Sequence, residues 1–462
     1  MVNQTSLVER LLAALRLRRI ANARELGEAL GVSQPSISRA LAAAGSQMAR
    51  IGQARRSRYA AVREVRGLGT HWPLYRINEH GQPHAFGELT ALHADGCLVT
   101  IATPPDWFQG EFADGLFPGL PWFLDDQRPQ GFLGRQFAQR WSRELGLSGD
   151  VLRWNEDAVF TALLLHGEDA PGDFVLGDTA LEHALRNEPE AIPAAARSEY
   201  YAQLAQTALG GELVGSSAAG EQPKFTTCVR EADGSLRHVI VKFGEPADAH
   251  PGARRWADLL TCEHLAAELL AEHGHASART ELIRSQGWLC LEATRFDRIG
   301  AHGRRGFVTL AAWSDAHDGE RDDWVSAAMR MRQGGWIDDA TLEQVRLRWW
   351  FGRLTANTDM HFGNLGFFLG NTLPLQLAPG YDMLPMLYRP ATSGTVVARA
   401  FDPPPPTPAA LPYWREAAVL ACLYWQRVAA HPGISDDFRR LAEANHATLQ
   451  QRRQRFAQND NA

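Results

Sequence analysis

The 462-residue chain has only five cysteines, at positions 97, 228, 262, 290 and 422. They form no C-x-x-C pair and meet no histidine spacing suited to zinc, which excludes a disulfide scaffold or a zinc finger and predicts reduced core thiols. No uninterrupted apolar run is long enough to cross a bilayer. The N-terminus, MVNQTSLVERLLAALRLRRI, carries charges inside its apolar periodicity and lacks a signal peptide's pattern. A cytoplasmic protein with no membrane partner is the expectation. Internal repeats are absent, and low complexity is confined to DPPPPTP at 402–408, which predicts an extended loop.

The first 66 residues contain no lysine at all, yet they are basic: twelve Arg and four Glu give +8, leaving −14 for the rest of a chain whose total is −6. A basic head on an acidic body suggests that the head meets a polyanion. Its pattern agrees. Leu7, Leu11, Leu12 and Leu15 fall at helical spacing, and NARELGEALGVSQPSISRALAAAG follows. Asn22 with Glu25 three residues on predicts a capped helix ended by Gly31, and Ser33 with Pro35 starts the next. Leu26, Leu30, Val32, Ile37 and Leu41 would form one apolar face across the two helices, leaving Gln34, Ser36, Ser38 and Arg39 outward on the second, where short polar groups can reach base edges and phosphates. The alternating stretch after it, around Arg55, Arg56 and Arg58, reads as a basic β wing. A winged helix-turn-helix DNA-binding domain over residues 1–66 is the expectation.

Residues 67–200 predict short strands with turns, then a stretch dense in Phe, Trp, Gly and Pro whose rings are expected to pack a loop-rich subdomain rather than stack on a ligand. Residues 179–210 read as helical.

ELVGSSAAGEQPKFTT at 212–227 spaces Gly215 and Gly220 as a Walker A loop does, but Glu221 stands where that motif needs Lys. A small-residue loop can still cover phosphates with backbone N–H groups, as the Gly-rich loop of protein kinases does. Behind it come RHVIVKF, a strand with Lys242, and an amphipathic helix with Glu263 at its middle. Downstream, ANTDMHFGN places Asp359 and Asn364 at D-x-x-x-x-N spacing, and LAPGYDMLP delivers Asp382 after an expected hairpin. Phosphoryl transfer needs charge neutralised and groups aligned, and these parts stand in kinase order: loop, strand Lys, helix Glu, Asp as base, Asn and Asp for metal.

SAAGEQPKF, VIVKF, TRFDR and NTDMHFGN…YD together resemble the HipA family of bacterial serine/threonine kinase toxins, over roughly residues 70–450. With the basic head the chain is similar to the long, YjjJ-like variant that carries a fused helix-turn-helix. The resemblance implies that Ala219, Gly220, Glu221, Gln222, Pro223 and Lys224 line the ATP phosphates, with Lys242 contacting them. It implies that Thr294, Arg295 and Phe296 hold the adenine, Thr294 standing where many members have Glu. Asp359 would be the base and Asn364 and Asp382 the Mg²⁺ ligands, with His361 and Tyr381 at the site's edge. Ser217 aligns with the serine that family members autophosphorylate. Pro223 replaces the commoner Glu of the loop, and Phe362-Gly363 replaces a small-basic pair.

The expected architecture is α+β: a winged helix-turn-helix (1–66), a HipA-like N-terminal subdomain (67–200), a kinase N-lobe with phosphate loop and strand Lys (201–298) and a mostly helical C-lobe (299–462). The expected activity is ATP- and Mg²⁺-dependent phosphorylation of a protein hydroxyl and of Ser217, with DNA bound by the head. In the family, targets include aminoacyl-tRNA synthetases, and a homodimer would span two DNA half-sites. The alternatives are a transcription regulator whose kinase-like body senses a nucleotide without transferring phosphate, and a small-molecule kinase.

Overall fold

The computed structural model describes residues 4–53, 56–210 and 222–457. Arg55, Ser217, Ala219, Gly220 and Glu221 therefore lie outside the described residues. The head comprises α1 (Gln4–Arg18), β1 (Ala21–Asn22), α2 (Ala23–Leu30), α3 (Gln34–Ala44), β2 (Met48–Ile51) and β3 (Arg58–Ala61). Asn22 Oδ1 accepts from the Glu25 N–H at 3.0 Å, and the Glu25 carboxylate accepts from the Asn22 N–H at 2.8 Å, closing a capping box. Gly31 ends α2 in the left-handed region at φ 65°, which only glycine enters without strain. Ser33 takes the N-cap position of α3, though its hydroxyl makes no capping bond. Leu11, Leu15, Leu26, Ile37 and Leu41 close one small core, against a sheet ordered β1-β3-β2.

That sheet does not end at the head. Ala49, Ile51 and Ala60 cluster with Leu92 and Leu98 of the following domain. The Arg63 N–H donates to Ala91 O and the His93 N–H to Ala61 O, both at 2.9 Å. Arg58 is ion-paired with Asp114 and Arg63 with Asp157, so one arginine expected on a DNA-facing wing is held by a carboxylate of the body.

The middle domain holds β4 (His71–Ile77), β5 (Pro83–Ala91), β6 (Cys97–Thr100), β7 (Leu116–Phe117), α4 (Gly131–Leu145), α5 (Glu156–His166), β8 (Phe174–Leu176) and α6 (Asp178–Arg186). Its strands pair antiparallel in the order β7-β6-β5-β4-β8. Trp107, Phe112, Phe117, Trp122 and Phe123 are buried core, as expected of that aromatic stretch.

A second five-stranded sheet follows, from β9 (Ala191–Pro193), α7 (Arg197–Gly210), β10 (Lys224–Arg230), β11 (Leu236–Phe243), α8 (Pro251–Glu272), β12 (Thr280–Ser285) and β13 (Trp288–Thr294), ordered β12-β13-β11-β10-β9. The expected continuous helix over 179–210 is broken because Ala191–Pro193 pair with β10, and the sheet thus begins before residue 201.

The last part contains β14 (Arg298–Ile299), β15 (Gly303–Arg304), β16 (Phe307–Thr309), α9 (Leu310–His317), α10 (Trp324–Gln333), α11 (Asp339–Leu354), β17 (Gly366–Phe368), β18 (Gln376–Leu377), α12 (Leu411–Ala430) and α13 (Asp436–Ala457). It is about half helical rather than mostly helical. Between α11 and α12 the chain is spent on a polar loop, the β17–β18 hairpin and an extended run through Pro403–Pro406, where proline can supply no helical N–H. The five cysteines are free and buried. Among the described residues no helix is long and apolar enough to cross a membrane.

Candidate active site

A cleft of about 650 Å³ runs between the second sheet, the middle domain and the last part of the chain. Lys224 on β10 and Lys242 on β11 stand directly opposite across the antiparallel ladder and both line it. Cross-strand partners share a face of the sheet, so the register brings the two cations together. They are the only lysines in the 462 residues, against 45 arginines.

Lys242 is buried and bridges two carboxylates, Glu263 on α8 and Asp382. Burial opposes its charge, but the attraction of Asp382 and Glu263 prevails and holds the ammonium above its ordinary pKa. For Asp382, too, burial is outweighed, here by Lys242 and Lys224, and its pKa is lowered. Glu263 goes the other way: burial raises it, and Lys242 only partly compensates. Glu263 Oε2 is buried and without a hydrogen-bond partner among the described residues.

Asp382 is placed by a chain of local devices. The Arg348 guanidinium of α11, itself buried, donates to Ala378 O and Ala276 O, each at 3.0 Å. Loss of solvent pulls its pKa down to about 10. Gly380 exchanges backbone bonds of 2.9 Å with Ala276 and Ala278, the Tyr381 hydroxyl donates to Gly363 O at 2.8 Å, and Asn357 Nδ2 donates to Asp382 O at 3.1 Å. Asp382 itself adopts φ 55°, a conformation uncommon outside glycine and often found at working sites.

The same devices explain why ANTDMHFGN is so polar. Asn357 Oδ1 accepts from the Asp359 N–H at 3.0 Å, Asn364 Nδ2 donates to Asp359 O at 2.9 Å, and His361 Nδ1 accepts from the Gly363 N–H at 3.1 Å. Trp324 Nε1 clamps the turn by donating to His361 O at 3.0 Å. Phe362 and Leu365 anchor it in the core. Asp359 is half-buried, and its carboxylate has no partner among the described residues. His361 is exposed; like Asp359 it stands beside the cleft rather than in its lining, whereas Asn364, Tyr381 and Asp382 line it.

Thr294, Arg295 and Phe296 also line the cleft, but their side chains serve the fold. Thr294 Oγ1 accepts from Arg237 at 3.2 Å. Arg295 is buried between Asp169 and Asp297, with bonds of 2.5 and 3.0 Å. Phe296 packs against Phe307 and Tyr381, with ring centres 5.3 and 5.8 Å apart. Gln222 donates to Phe243 O and Pro223 accepts from the Phe243 N–H at 3.1 Å, extending the β10–β11 ladder toward the cleft. Sequence reasoning passed over Arg348, Trp324 and Asp126, a cleft residue bonded to both the N–H and the hydroxyl of Thr309 at 2.7 Å. No local motif marks these three. The scarcity of lysine was a usable signal for Lys224 and Lys242.

A sheet carrying a lysine bonded to a helix glutamate, facing a loop that presents an aspartate, an asparagine and a second aspartate, is the architecture of a kinase-type fold. Residues 68–185 match the family described as YjjJ-like toxin, middle domain, and residues 216–450 the HipA-like C-terminal domain. The chain is 37% identical over 440 residues to Toxin YjjJ of Escherichia coli (strain K12), spanning 94% of this chain and 96% of that protein. It therefore belongs to the HipA-like toxins of the YjjJ-like kind. Its fold is shared with HipA of Shewanella oneidensis MR-1, solved with HipB and operator DNA, at a TM-score of 0.54 and 17% identity over 83% of this chain and 96% of that one. A Helicobacter pylori proinflammatory kinase, CtkA, aligns at a TM-score of 0.36 and 12% identity, over 52% of this chain and 92% of that one.

Proposed function

We propose that the protein is an ATP-dependent serine/threonine protein kinase with a fused winged helix-turn-helix that binds DNA. The observation that carries the reading is Lys242 held charged between Glu263 and Asp382, beside the Asp359–Asn364 loop. The donor set fits Mg·ATP: two ammonium groups for phosphate oxygens, and a carboxylate with an amide for a hard cation that prefers oxygen. A bound Mg·ATP supplies the transferable γ-phosphoryl group and the charge that neutralises it. Asn364 and Asp382 would hold the metal. Lys224 and Lys242 would bind phosphate oxygens, Lys242 giving up its bond to Asp382 while Glu263 keeps it in place. Asp359, unpaired and beside the cleft, would orient a protein hydroxyl and accept its proton. Thr294, Arg295 and Phe296 offer the adenine a rigid wall of backbone and ring rather than free polar groups.

Ser217 is proposed as the site of self-modification, because phosphate there would add roughly −1.5 to −2 charge beside bound nucleotide phosphates and disfavour the loop's place. On the head, Gln34, Ser38 and Arg39 are exposed on α3 and Ser36 is half-buried, a composition suited to base edges and phosphates. Arg56 is exposed at the hairpin and is, with Arg55, the proposed phosphate contact. Arg58 joins them only if Asp114 releases it. A cytoplasmic location, a homodimer and a protein target such as an aminoacyl-tRNA synthetase complete the proposal. The test is phosphate transfer by the purified chain with Mg·ATP, with the modified residues mapped in the protein and in a lysate. Nucleotide binding without any transfer would favour the nucleotide-sensing regulator, and labelling of small molecules alone would favour a small-molecule kinase.

A further inference from the structure

His166 at the end of α5, Glu168 two residues on and His183 on α6 each bring a ligand atom to within 4.8 Å of the others. His183 Nδ1 lies 3.9 Å from Glu168 Oε2, too far for a hydrogen bond. The two imidazole rings lie 6.1 Å apart between centres at 29°. Glu168 Oε2 is buried and accepts no hydrogen bond among the described residues. A carboxylate oxygen withdrawn from water with no donor beside two imidazoles is costly unless something positive joins them. Donors about 2.0–2.2 Å from a tetrahedral ion stand about 3.4 Å from one another, so a small closure of this cluster would complete the contact.

The surroundings hold the donors in place. Trp141 stacks on His166 with ring centres 3.8 Å apart, and Glu144 Oε1 lies 3.1 Å from His166 Nε2. A carboxylate on a ring nitrogen is the usual way a ligating imidazole is oriented, and Glu144 can alternatively add an oxygen donor. Glu168 is fixed from the other side: its carbonyl accepts from Arg304, and its neighbour Asp169 pairs with Arg295. Ala184, next to His183, accepts from His302 at 3.1 Å. His166 and Glu168 line the same cleft as Lys242 and Asp382.

We propose that His166, Glu168 and His183 bind a divalent transition-metal ion of the zinc class, with one coordination position left for water or Glu144. Two imidazoles and one carboxylate suit zinc, cobalt or nickel and disfavour magnesium. The ion ties α5 to α6 and, through Glu168 and Asp169, to the Arg295 segment at the cleft. Sequence spacing does not announce such a site, since it contains no cysteine and its second imidazole comes from another helix. The site is independent of the phosphotransfer reading.

The test uses the full chain without a histidine tag, stripped with chelator and titrated with Co²⁺ followed by visible absorption, then with Zn²⁺ in competition and Mg²⁺ as control. The expected result is one equivalent of Co²⁺ with a ligand-field band, displaced by Zn²⁺ and not by Mg²⁺. Both His183→Ala, at a half-exposed position, and Glu168→Gln, which keeps the side chain's shape, should weaken it about tenfold or more, with the metal-free melting temperature reporting that the variants fold. A wild type with no one-equivalent Co²⁺ site, or binding unchanged in both folded variants, overturns the proposal.

Discussion

At the scale of single residues, Asp359 and Glu263 have separable roles in the proposed reaction. Asp359→Asn should leave Mg·ATP affinity intact and lower phosphotransfer roughly a hundred- to ten-thousandfold, because the amide cannot accept the hydroxyl proton. Single-turnover transfer beside nucleotide titration separates the two. Glu263→Gln should weaken nucleotide binding instead, since Lys242 would lose its anchor and stay on Asp382. Asp126 bears on stability. Loss of solvent around its carboxyl pushes its pKa up to about 6, against two hydrogen bonds from Thr309. The folded chain thus takes up this proton before the unfolded chain does. The stability the group contributes is complete below the ordinary carboxylate pKa near 3.8 and is lost as pH rises to about 6. Asp126→Asn should flatten the profile of melting temperature against pH across that window, and an unchanged profile would remove the assignment.

At the scale of elements, what the sequence disclosed was whatever is written locally. The Asn22–Glu25 box, the Gly31 stop, the strand around Lys242, the β17–β18 hairpin and the D-x-x-x-x-N loop each carry their signal within a few residues. The break between α6 and α7 was invisible because Ala191–Pro193 become a strand only by pairing with β10. Arg348 was invisible for the same reason: it matters through carbonyls at Ala276 and Ala378, which nothing on α11 announces. In TRFDR the guanidinium of Arg295 pairs with Asp297 of the same motif and with Asp169, a partner that nothing in the motif announces. Arg348→Met should leave the Ala378 carbonyl unpaired, Ala276 O keeping its bond from the Gly380 N–H, and cost about 1–3 kcal/mol. It should also weaken Mg²⁺-dependent nucleotide binding, since the Tyr381–Asp382 segment loses its brace. A melting shift with unaltered nucleotide affinity would show that Arg348 only stabilises the fold.

At the scale of the whole molecule, head and body share a core through Ile51, Ala60, Leu92 and Leu98. The −14 body that would repel DNA takes two of the head's arginines for its own, in the Arg58–Asp114 and Arg63–Asp157 pairs. Asp114→Asn should free Arg58 and, if it then reaches phosphate, steepen the slope of log affinity against log salt on duplex DNA by about 0.9; Arg56→Ala should flatten it by a similar amount. Fluorescence anisotropy with the full chain over a salt series reads both, and the full chain is needed because an isolated head would expose the Ile51 face. Whether this cleft transfers phosphate is decided by incubating wild-type and Asp359→Asn protein with Mg·ATP and a protein lysate, then reading the intact mass of the enzyme and mapping phosphosites in both enzyme and lysate. Phosphate on serine or threonine is expected in the wild-type reaction, with roughly a hundredfold less or lower from the variant at equal nucleotide occupancy. Equal labelling in both, or occupancy by Mg·ATP with no phosphate transferred by the wild type, would contradict it.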